Sequence, residues 1–390
     1  MESAQIFQTF ASQYPQVVYT GAGALKQLKT EVESLRAKRV MVVADAGIVD
    51  SGIAGQATDQ LKGCDVEVTV FSDVAPNPTL KSVNACGAAV RENKIDLVIG
   101  IGGGSCLDTA KTGAVLGVNP GDFRAYLGMQ NIPLRGLPKI LIPTTHGTGS
   151  EAGQGVILKD EETEIKNVAY SRFLQADSVI LDPLLTLSMP RQVTVDSGCD
   201  TLVAAIEHYI SLRANHTTDL LALEAIRLVG RSFRTVYCNG KDVEGRYQML
   251  LASFLSGIAQ GSGLGGIHGL SYPLESLYHL AHGRANAVMA PAVLAFNRMA
   301  SIPKFRNIAV ALGENVDGLS PQEASHKAVR AVKDLLADLN VSTRLRDYNV
   351  TKESIPEMAK TATETGVRLF EVNPRRLTPD DAIVIYEQAW

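Results

Sequence analysis

Short apolar runs alternate with amphipathic segments over the first 185 residues of the chain. Five runs rich in β-branched and other apolar residues are typical of strands: Arg39–Asp45, Asp65–Phe71, Leu97–Ile101, Lys139–Pro143 and Ser178–Asp182. Between the second and third runs, apolar positions from Leu80 to Val90 keep a helical spacing after Pro78, a residue favoured at helix starts. Strands that alternate with helices predict a doubly wound, mostly parallel sheet.

The pattern changes near Asp182. Beyond Met189–Gln192 no strand-like run follows, and long helical periodicities take over. They cover Asp219–Tyr237, Glu244–Gln260, Pro321–Leu339, Lys352–Thr365 and Thr378–Trp390. A chain of 390 residues is long enough for two domains. We therefore predict an α/β domain over residues 1–185 and an all-α domain over residues 186–390.

Net charge, the length of apolar runs and cysteine content limit the classes of protein to which this chain can belong. A net charge of −4 gives no electrostatic attraction to nucleic acid or to an anionic membrane. The chain has no run of ~20 apolar residues, and its first residues lack the pattern of a signal peptide. Its five cysteines form no CxxC pair, which indicates reduced thiols and argues against a thiolate zinc site. We expect a cytoplasmic protein that acts on a small molecule.

A glycine-rich turn follows the most apolar strand. Gly102, Gly103 and Gly104 come directly after Leu97–Ile101, and Ser105 opens a helix-like segment. A strand that ends in glycines and leads into a helix presents bare backbone N–H groups, which suit a nucleotide pyrophosphate. The spacing matches neither GxGxxG nor the GxxxxGK[ST] loop, so a tight turn without a ligand stays open on these residues alone.

Several longer strings extend this signal over nearly the whole chain. They are VVYTGAGALKQL (Val17–Leu28), NPT (Asn77–Thr79), GGGSxxDxAK (Gly102–Lys111), IPTTHGTGSE (Ile142–Glu151), LDPLLTLSMP (Leu181–Pro190), HGRANAVMAP (His282–Pro291) and NPR (Asn373–Arg375). In this order they resemble the iron-containing (group III) alcohol dehydrogenases, relatives of dehydroquinate synthase and glycerol dehydrogenase. The resemblance implies a dinucleotide-binding domain before a helical metal domain, with NAD as cofactor. Relatives often form homodimers or larger homo-oligomers.

The resemblance also implies a set of cofactor contacts. Gly103, Gly104 and Ser105 match positions on the pyrophosphate, Asp108, Thr144, Thr145 and Thr148 match positions around the nicotinamide half, and Lys166 matches a cofactor-contacting lysine. Asp45 closes an early strand, where a carboxylate accepts hydrogen bonds from a ribose and repels a 2′-phosphate. A solvated strand-end aspartate is equally consistent with the residues, and the resemblance favours NAD over NADP. His146 either contacts a phosphate or substrate or fills space.

Family members hold one divalent ion with an Asp, a His four residues later, and two His fourteen residues apart. By this resemblance Asp200, His268 and His282 are metal ligands, for Fe²⁺ or Zn²⁺. A spacing of four places two ligands on one helical face. Here, however, the second position is Ala204, so one imidazole is missing. His208, one turn further on, would replace it only if the metal moved, and is more often a core residue.

A second departure lies four residues after His268, where the family often has another histidine and this chain has Tyr272. Two mechanisms stay open. In one, the three remaining ligands still hold the ion, since three protein ligands suffice for a catalytic zinc. In the other the metal is lost: Tyr272 or a histidine supplies the proton, aided by a depressed tyrosine pKa, while His268 and His282 bind substrate.

The leading function is therefore an NAD(H)-dependent alcohol dehydrogenase or aldehyde reductase for small substrates, assisted by metal. The alternative enzyme is a metal-independent reductase of a small anionic oxo or aldehyde substrate, whose charge Arg284, Arg172 or Arg375 would neutralise. A non-catalytic NAD-binding scaffold is the alternative from another class. A decayed site would not be expected to keep three of four ligands, which argues against the scaffold.

Overall fold

The computed structural model describes residues 9, 11–163 and 166–390. It contains two compact units, one of Gln13–Met189 and one that includes Pro190–Trp390. The sequence places the boundary near residue 185, close to this division.

The first unit is built on strands β1 (Val17–Thr20), β2 (Arg39–Val43), β3 (Glu67–Phe71), β4 (Leu97–Gly102), β5 (Gly128–Met129), β6 (Lys139–Pro143), β7 (Gly155–Lys159), β8 (Lys166–Tyr170) and β9 (Ser178–Leu181). Six form a sheet in the order β1-β9-β6-β4-β2-β3, and its strand pairs are parallel. The other three form a small sheet in the order β5-β8-β7. The predicted α/β class with a mostly parallel sheet is confirmed.

Helices of this unit are α1 (Gln27–Ser34), α2 (Ala46–Asp50), α3 (Ile53–Gln60), α4 (Leu80–Glu92) and α5 (Gly104–Leu116). Every residue of β4 is buried, because its sheet position between β2 and β6 leaves neither edge to solvent. Thr79 caps α4 with its side chain, in a reciprocal pair with Ser82. All five predicted strands form, although β2 ends at Val43, before Asp45.

The second unit is helical. Its helices are α6 (Arg191–Ile210), α7 (His216–Cys238), α8 (Val243–Ala259), α9 (Gly266–Tyr278), α10 (His282–Asn297), α11 (Ile302–Ala311), α12 (Pro321–Asp338), α13 (Ile355–Thr365), α14 (Val367–Phe370) and α15 (Pro379–Ala389). Their apolar faces share one core, with Leu202 and Ile206 of α6, Leu270 of α9 and Val288 of α10 fully buried. This core holds α6, α9 and α10 in fixed positions, which matters for the site below.

Within the described part of the chain, no single helix is long and apolar enough to cross a membrane. One consecutive pair, Val243–Ser262 with Gly266–Tyr278, passes by length and composition, but it is bent by 107°.

Candidate functional site

Three helices of the second unit bring together side chains that are far apart in the sequence. Asp200 lies on α6, His268 on α9, and His282 is the first residue of α10. The Asp200 Oδ1 atom is 3.6 Å from His268 Nε2 and 3.4 Å from His282 Nε2. One ligand atom of each residue lies within 4.8 Å of the other two. The structure therefore gathers the three side chains that the sequence suggests as metal ligands.

Two glutamates orient the imidazoles of this cluster. The His268 Nδ1–H donates to Glu207 Oε2 at 2.5 Å, and the His282 Nδ1–H donates to Glu275 Oε1 at 2.7 Å. With Nδ1 held by a glutamate, the Nε2 atom of each ring faces Asp200. Sequence reasoning missed both glutamates. Their spacing in the sequence could have identified them, because each glutamate lies seven residues, or two helical turns, after a proposed ligand.

Asn286 is a further side chain in the cluster that sequence reasoning missed. It is fully buried on α10, one turn after His282. Its Nδ2 lies 3.1 Å from Asp200 Oδ1, 3.1 Å from His268 Nε2 and 3.3 Å from His282 Nε2. Its Oδ1 is buried with no hydrogen-bond partner among the described residues. A buried carbonyl without a donor is uncommon and calls for an explanation.

The charges of the cluster support one another. Burial would raise the pKa of Asp200, but His282, His268 and Asn286 outweigh burial and lower it. Burial would likewise lower the pKa of His268, but the carboxylates of Glu207 and Asp200 raise it to about 9. Without metal, the cluster therefore keeps a proton on His268 near neutral pH. A cation that binds there must displace this proton.

The neighbouring histidine on α6 does not join the cluster. The His208 Nδ1–H donates to the Gly263 carbonyl at 3.1 Å, and the ring is buried. Burial lowers the pKa of His208 to about 4, so the ring is neutral. Ala204, one turn after Asp200, offers only a methyl group. The core interpretation of His208 thus describes this structure better than the ligand interpretation.

Tyr272 lies on α9, one turn after His268. Its hydroxyl is hydrogen-bonded to the Arg368 guanidinium, and burial raises its pKa despite that neighbouring cation. The depressed pKa expected for a proton-donating tyrosine is therefore wrong for this structure. A raised pKa makes the hydroxyl a weaker acid, which disfavours transfer of its proton to a substrate.

In the first unit, the glycine turn lies where the sheet order changes direction. Strand β3 lies on one side of β2, and β4 lies on the other side. From β4 the sheet continues outward through β6 and β9, so the direction changes between β2 and β4. The carboxyl ends of strands at such a switch point are where parallel sheets bind ligands. Asp45 follows β2, and Gly102 to Gly104 follow β4, so both lie there.

The turn is tight and is covered by a threonine loop. Gly102 has a φ of 144°, which only glycine adopts easily, and α5 begins at Gly104 without a side-chain cap. A Cβ on Gly104 would lie 2.8 Å from Thr148 Cγ2, and one on Gly103 would lie 3.6 Å from Thr145. The structure thus places the glycines against two of the three predicted threonines, and uncapped N–H groups at a helix start suit an anion.

The remaining cofactor-side residues have diverse contacts. Thr144 is buried and its N–H donates to the Gly102 carbonyl at 2.9 Å. The Ser105 hydroxyl donates to the Pro76 carbonyl. Lys166 begins β8 and is exposed, opposite Lys159 of β7. His146 is fully buried.

Asp108 and Lys111 form an ion pair on α5, the helix that follows the glycine turn. Lys111 is fully buried, and its Nζ lies 3.2 Å from Asp108 Oδ1 and 2.7 Å from the Gly155 carbonyl. Asp108 also accepts hydrogen bonds from the Ser150 hydroxyl and, at 3.2 Å, from the Ile157 N–H. Its carboxylate therefore neutralises a buried lysine and ties α5 to β7. A contact between Asp108 and the nicotinamide half stays a prediction.

Asp45 has two partners that sequence reasoning did not anticipate. Its Oδ1 accepts from the Ile48 N–H at 3.0 Å and so caps α2. Its Oδ2 accepts from the Cys106 thiol at 3.1 Å, and burial followed by this carboxylate raises the thiol pKa strongly. Each carboxylate oxygen can accept a second hydrogen bond, so a ribose contact is compatible with both partners.

Comparison with known proteins identifies the family of the chain. A family model described as iron-containing alcohol dehydrogenase matches residues 15–183, and one described as Fe-containing alcohol dehydrogenase family, C-terminal, matches residues 194–390. The chain is 40% identical over 381 residues to long-chain-alcohol dehydrogenase 1 of Geobacillus thermodenitrificans, covering 97% of this chain and 96% of that protein.

Solved structures show the same fold. The crystal structure of a 1,3-propanediol oxidoreductase matches with a TM-score of 0.94 at 33% identity, covering 98% of this chain and 100% of that one. A sulfoacetaldehyde reductase from Bifidobacterium kashiwanohense in complex with NAD⁺ matches with a TM-score of 0.88 at 27% identity, covering 98% and 99%. The family models and the similar proteins define an NAD-dependent oxidoreductase of alcohols and aldehydes. The chain belongs to the iron-containing alcohol dehydrogenase family, as its motifs predict.

Proposed function

We propose that this protein transfers hydride between NAD(H) and a small alcohol or aldehyde, assisted by Fe²⁺ or Zn²⁺ held by Asp200, His268 and His282. The observation that carries the proposal is the convergence of three ligand atoms within 4.8 Å on three different helices. Both Nε2 lone pairs face the carboxylate because Glu207 and Glu275 hold the opposite ring nitrogens.

The donor set suits the ions that the family implies. Two imidazole nitrogens and one carboxylate oxygen form the set found in non-haem iron sites, and three protein ligands are sufficient for catalytic zinc. When bound, such an ion supplies Lewis-acid chemistry that polarises a carbonyl or lowers the pKa of an alcohol. Ala204 leaves the shell one imidazole short of the family pattern, so the buried charge of Asp200 contributes more of the affinity here.

On the cofactor side, the N–H groups at the start of α5 bind the pyrophosphate of NAD, and Asp45 accepts hydrogen bonds from the ribose. The switch-point location and the uncapped helix start support this assignment. The contacts of Ser105, Asp108, Thr144, Thr145, Thr148 and Lys166 with the cofactor are part of the same proposal. An NAD⁺-bound structure among the similar proteins supports NAD as cofactor.

The second candidate, metal-independent reduction of a small anionic aldehyde, draws support from the similarity to sulfoacetaldehyde reductase. Two of the arginines proposed to neutralise the anionic substrate, however, already have partners within the protein. Arg284 Nε donates to Asp196 Oδ1 at 2.8 Å, and the Arg375 guanidinium stacks on Phe296 at 3.8 Å. Together with the raised pKa of Tyr272, these contacts favour the metal-assisted mechanism.

One experiment separates the candidates. Metal content is measured on purified protein, and NADH oxidation is followed with aldehydes of increasing chain length, with and without a sulfonate, before and after chelation. We expect chelation to abolish turnover and added Fe²⁺ or Zn²⁺ to restore it, while Tyr272→Phe lowers the rate less than about tenfold. Full turnover of metal-free protein, with a loss of about 100-fold in Tyr272→Phe, would establish the tyrosine mechanism instead. NADH binding without oxidation of any aldehyde would indicate the scaffold.

A further inference from the structure

We infer that Asn286 completes the metal shell, with its Oδ1 as a fourth ligand in place of the imidazole that is absent at Ala204. The inference rests on the proposed function, since it concerns the ion that Asp200, His268 and His282 are proposed to hold.

The first argument is distance. The end of the Asn286 carboxamide lies 3.1, 3.1 and 3.3 Å from the three ligand atoms. The carboxylate oxygen lies 3.6 and 3.4 Å from the two imidazole nitrogens. In a tetrahedral site with bonds of about 2.0–2.1 Å, ligand atoms are about 3.3–3.4 Å apart. The carboxamide end therefore stands among the other three atoms at the spacing of a fourth ligand.

The second argument is hydrogen bonding. The Nδ2 group lies within 3.3 Å of three side-chain atoms but has only two N–H bonds, and the Oδ1 atom is buried without a partner in the described chain. A half turn of the carboxamide exchanges its nitrogen and oxygen without moving the rest of the side chain. The –NH₂ group donates to the Asp200 carboxylate when no cation is present, and the carbonyl oxygen suits a cation. The half turn gives up the hydrogen bond from Nδ2 to Asp200, whose carboxylate a bound cation would then contact, and it breaks none of Oδ1, which has no partner in the described chain.

The third argument is spacing and charge. In the family pattern the fourth position lies four residues after Asp200 on α6. Asn286 lies four residues after His282 on α10, so the same one-turn pair is supplied by another helix. A carboxamide and an imidazole are both neutral ligands. The replacement therefore leaves the net charge of the shell unchanged.

The test measures metal binding rather than turnover. Zn²⁺ dissociation constants are obtained by competition with a chromophoric chelator, and visible absorption spectra of Co²⁺-loaded protein report the ligand field. The variants are Asn286→Ala, Asn286→Asp, Ala204→His and the double variant Asn286→Ala/Ala204→His. Asn297→Ala is the matched control, because it removes another fully buried amide from α10, one that bonds to Asn373.

We expect Asn286→Ala to weaken Zn²⁺ binding by at least about 100-fold. Loss of a residue that only hydrogen-bonds to a metal ligand weakens binding by at most about that factor. Asn286→Asp, which keeps an oxygen ligand, should bind within about tenfold of wild type or more tightly, with a changed Co²⁺ spectrum. Ala204→His should return Asn286→Ala to within about tenfold of wild type, since the imidazole restores the fourth ligand. Asn297→Ala should leave affinity and spectrum unchanged.

Three outcomes would overturn the inference. If Asn286→Ala binds Zn²⁺ as wild type does, Asn286 is no ligand, and a full equivalent of metal in wild type leaves the proposed function intact. If Asn286→Asp loses as much affinity as Asn286→Ala, the –NH₂ group was required. If wild type binds no Zn²⁺, Fe²⁺ or Co²⁺, the proposed function fails together with the inference. Thermal melts of every variant exclude unfolding, and Asn286→Asp decides the question if Asn286→Ala does not fold.

Discussion

Two glutamates orient the imidazoles of the candidate metal cluster toward one carboxylate. Glu207 and Glu275 accept the Nδ1–H of His268 and His282, and Asp200 opposes both rings. Each glutamate lies on a helix that also carries a proposed ligand. The orientation of the imidazoles therefore depends on helix geometry as much as on the ligands themselves.

Asp45 should determine the choice between NAD and NADP. Asp45→Ser keeps a side-chain oxygen for capping α2 but removes the charge that repels a 2′-phosphate. We expect the relative use of NADPH to rise by an amount equivalent to about 1–3 kcal/mol. The ratio of kcat/KM for NADH and NADPH measures it, and Asp50→Ser at the other end of α2 is the charge-matched control. A wild-type preference for NADPH would contradict the role of Asp45.

His208 should make the helical unit sensitive to acid. Its pKa is about 4 in the folded protein and 6.5 in the unfolded chain, so the unfolded state takes up the proton first as the pH falls. The contribution of His208 to the free energy of unfolding is fully present above pH 6.5. It decreases by about 3 kcal/mol between pH 6.5 and pH 4. His208→Asn keeps a donor for the Gly263 carbonyl but does not titrate.

Urea unfolding at pH 7, 6, 5 and 4 compares the two proteins. The stability of wild type should fall toward that of His208→Asn as the pH decreases. Parallel curves over the whole range would show that His208 contributes nothing to the acid response.

At the scale of elements, α6 and α10 pack closely at the metal cluster. A Cβ on Gly283 would lie 1.8 Å from the Asp196 carbonyl oxygen of α6, which is backbone and cannot rotate away. Gly283→Ala should therefore separate the two helices and cost about 2–3 kcal/mol. His282, the preceding residue, would move away from Asp200, so bound metal should decrease as well.

Thermal unfolding and metal analysis measure both effects of Gly283→Ala. Gly55→Ala on α3 is the control, because nothing lies within 4 Å of its added Cβ. It should change stability by less than about 1 kcal/mol and leave metal content unaltered. Equal behaviour of the two variants would rule out the close helix contact.

At the scale of the whole molecule, the proposed cofactor residues all lie in the unit Gln13–Met189, and the candidate metal cluster lies within Pro190–Trp390. Each binding function should therefore be removable without the other. We expect Asp200→Asn to weaken metal binding by at least about 100-fold while NADH affinity, measured by fluorescence, stays within about twofold. A parallel loss of NADH binding in Asp200→Asn would contradict this separation.

The division between the α/β half and the helical half follows from periodicity in the sequence. Burial on both faces makes a central strand such as β4 continuously apolar, and amphipathic helices repeat at their own spacing. The short strands β5, β7 and β8 escaped prediction, since their residues are partly exposed and pair in a small separate sheet. Strand β1, at the edge of the main sheet, escaped for the same reason.

By itself, the sequence determined the fold class, the family and the glycine turn, and it raised the prediction of a missing imidazole at Ala204, because each depends on local pattern or on residue identity. Only the tertiary structure decided which polar side chains meet at the cluster. Glu207 and Glu275 lie outside the motif strings, and Asn286 lies inside HGRANAVMAP without any mark of a contact to Asp200; all three acquire partners when α6, α9 and α10 pack around one core. The pKa of a buried group such as His208 likewise depends on the desolvation that this packing imposes.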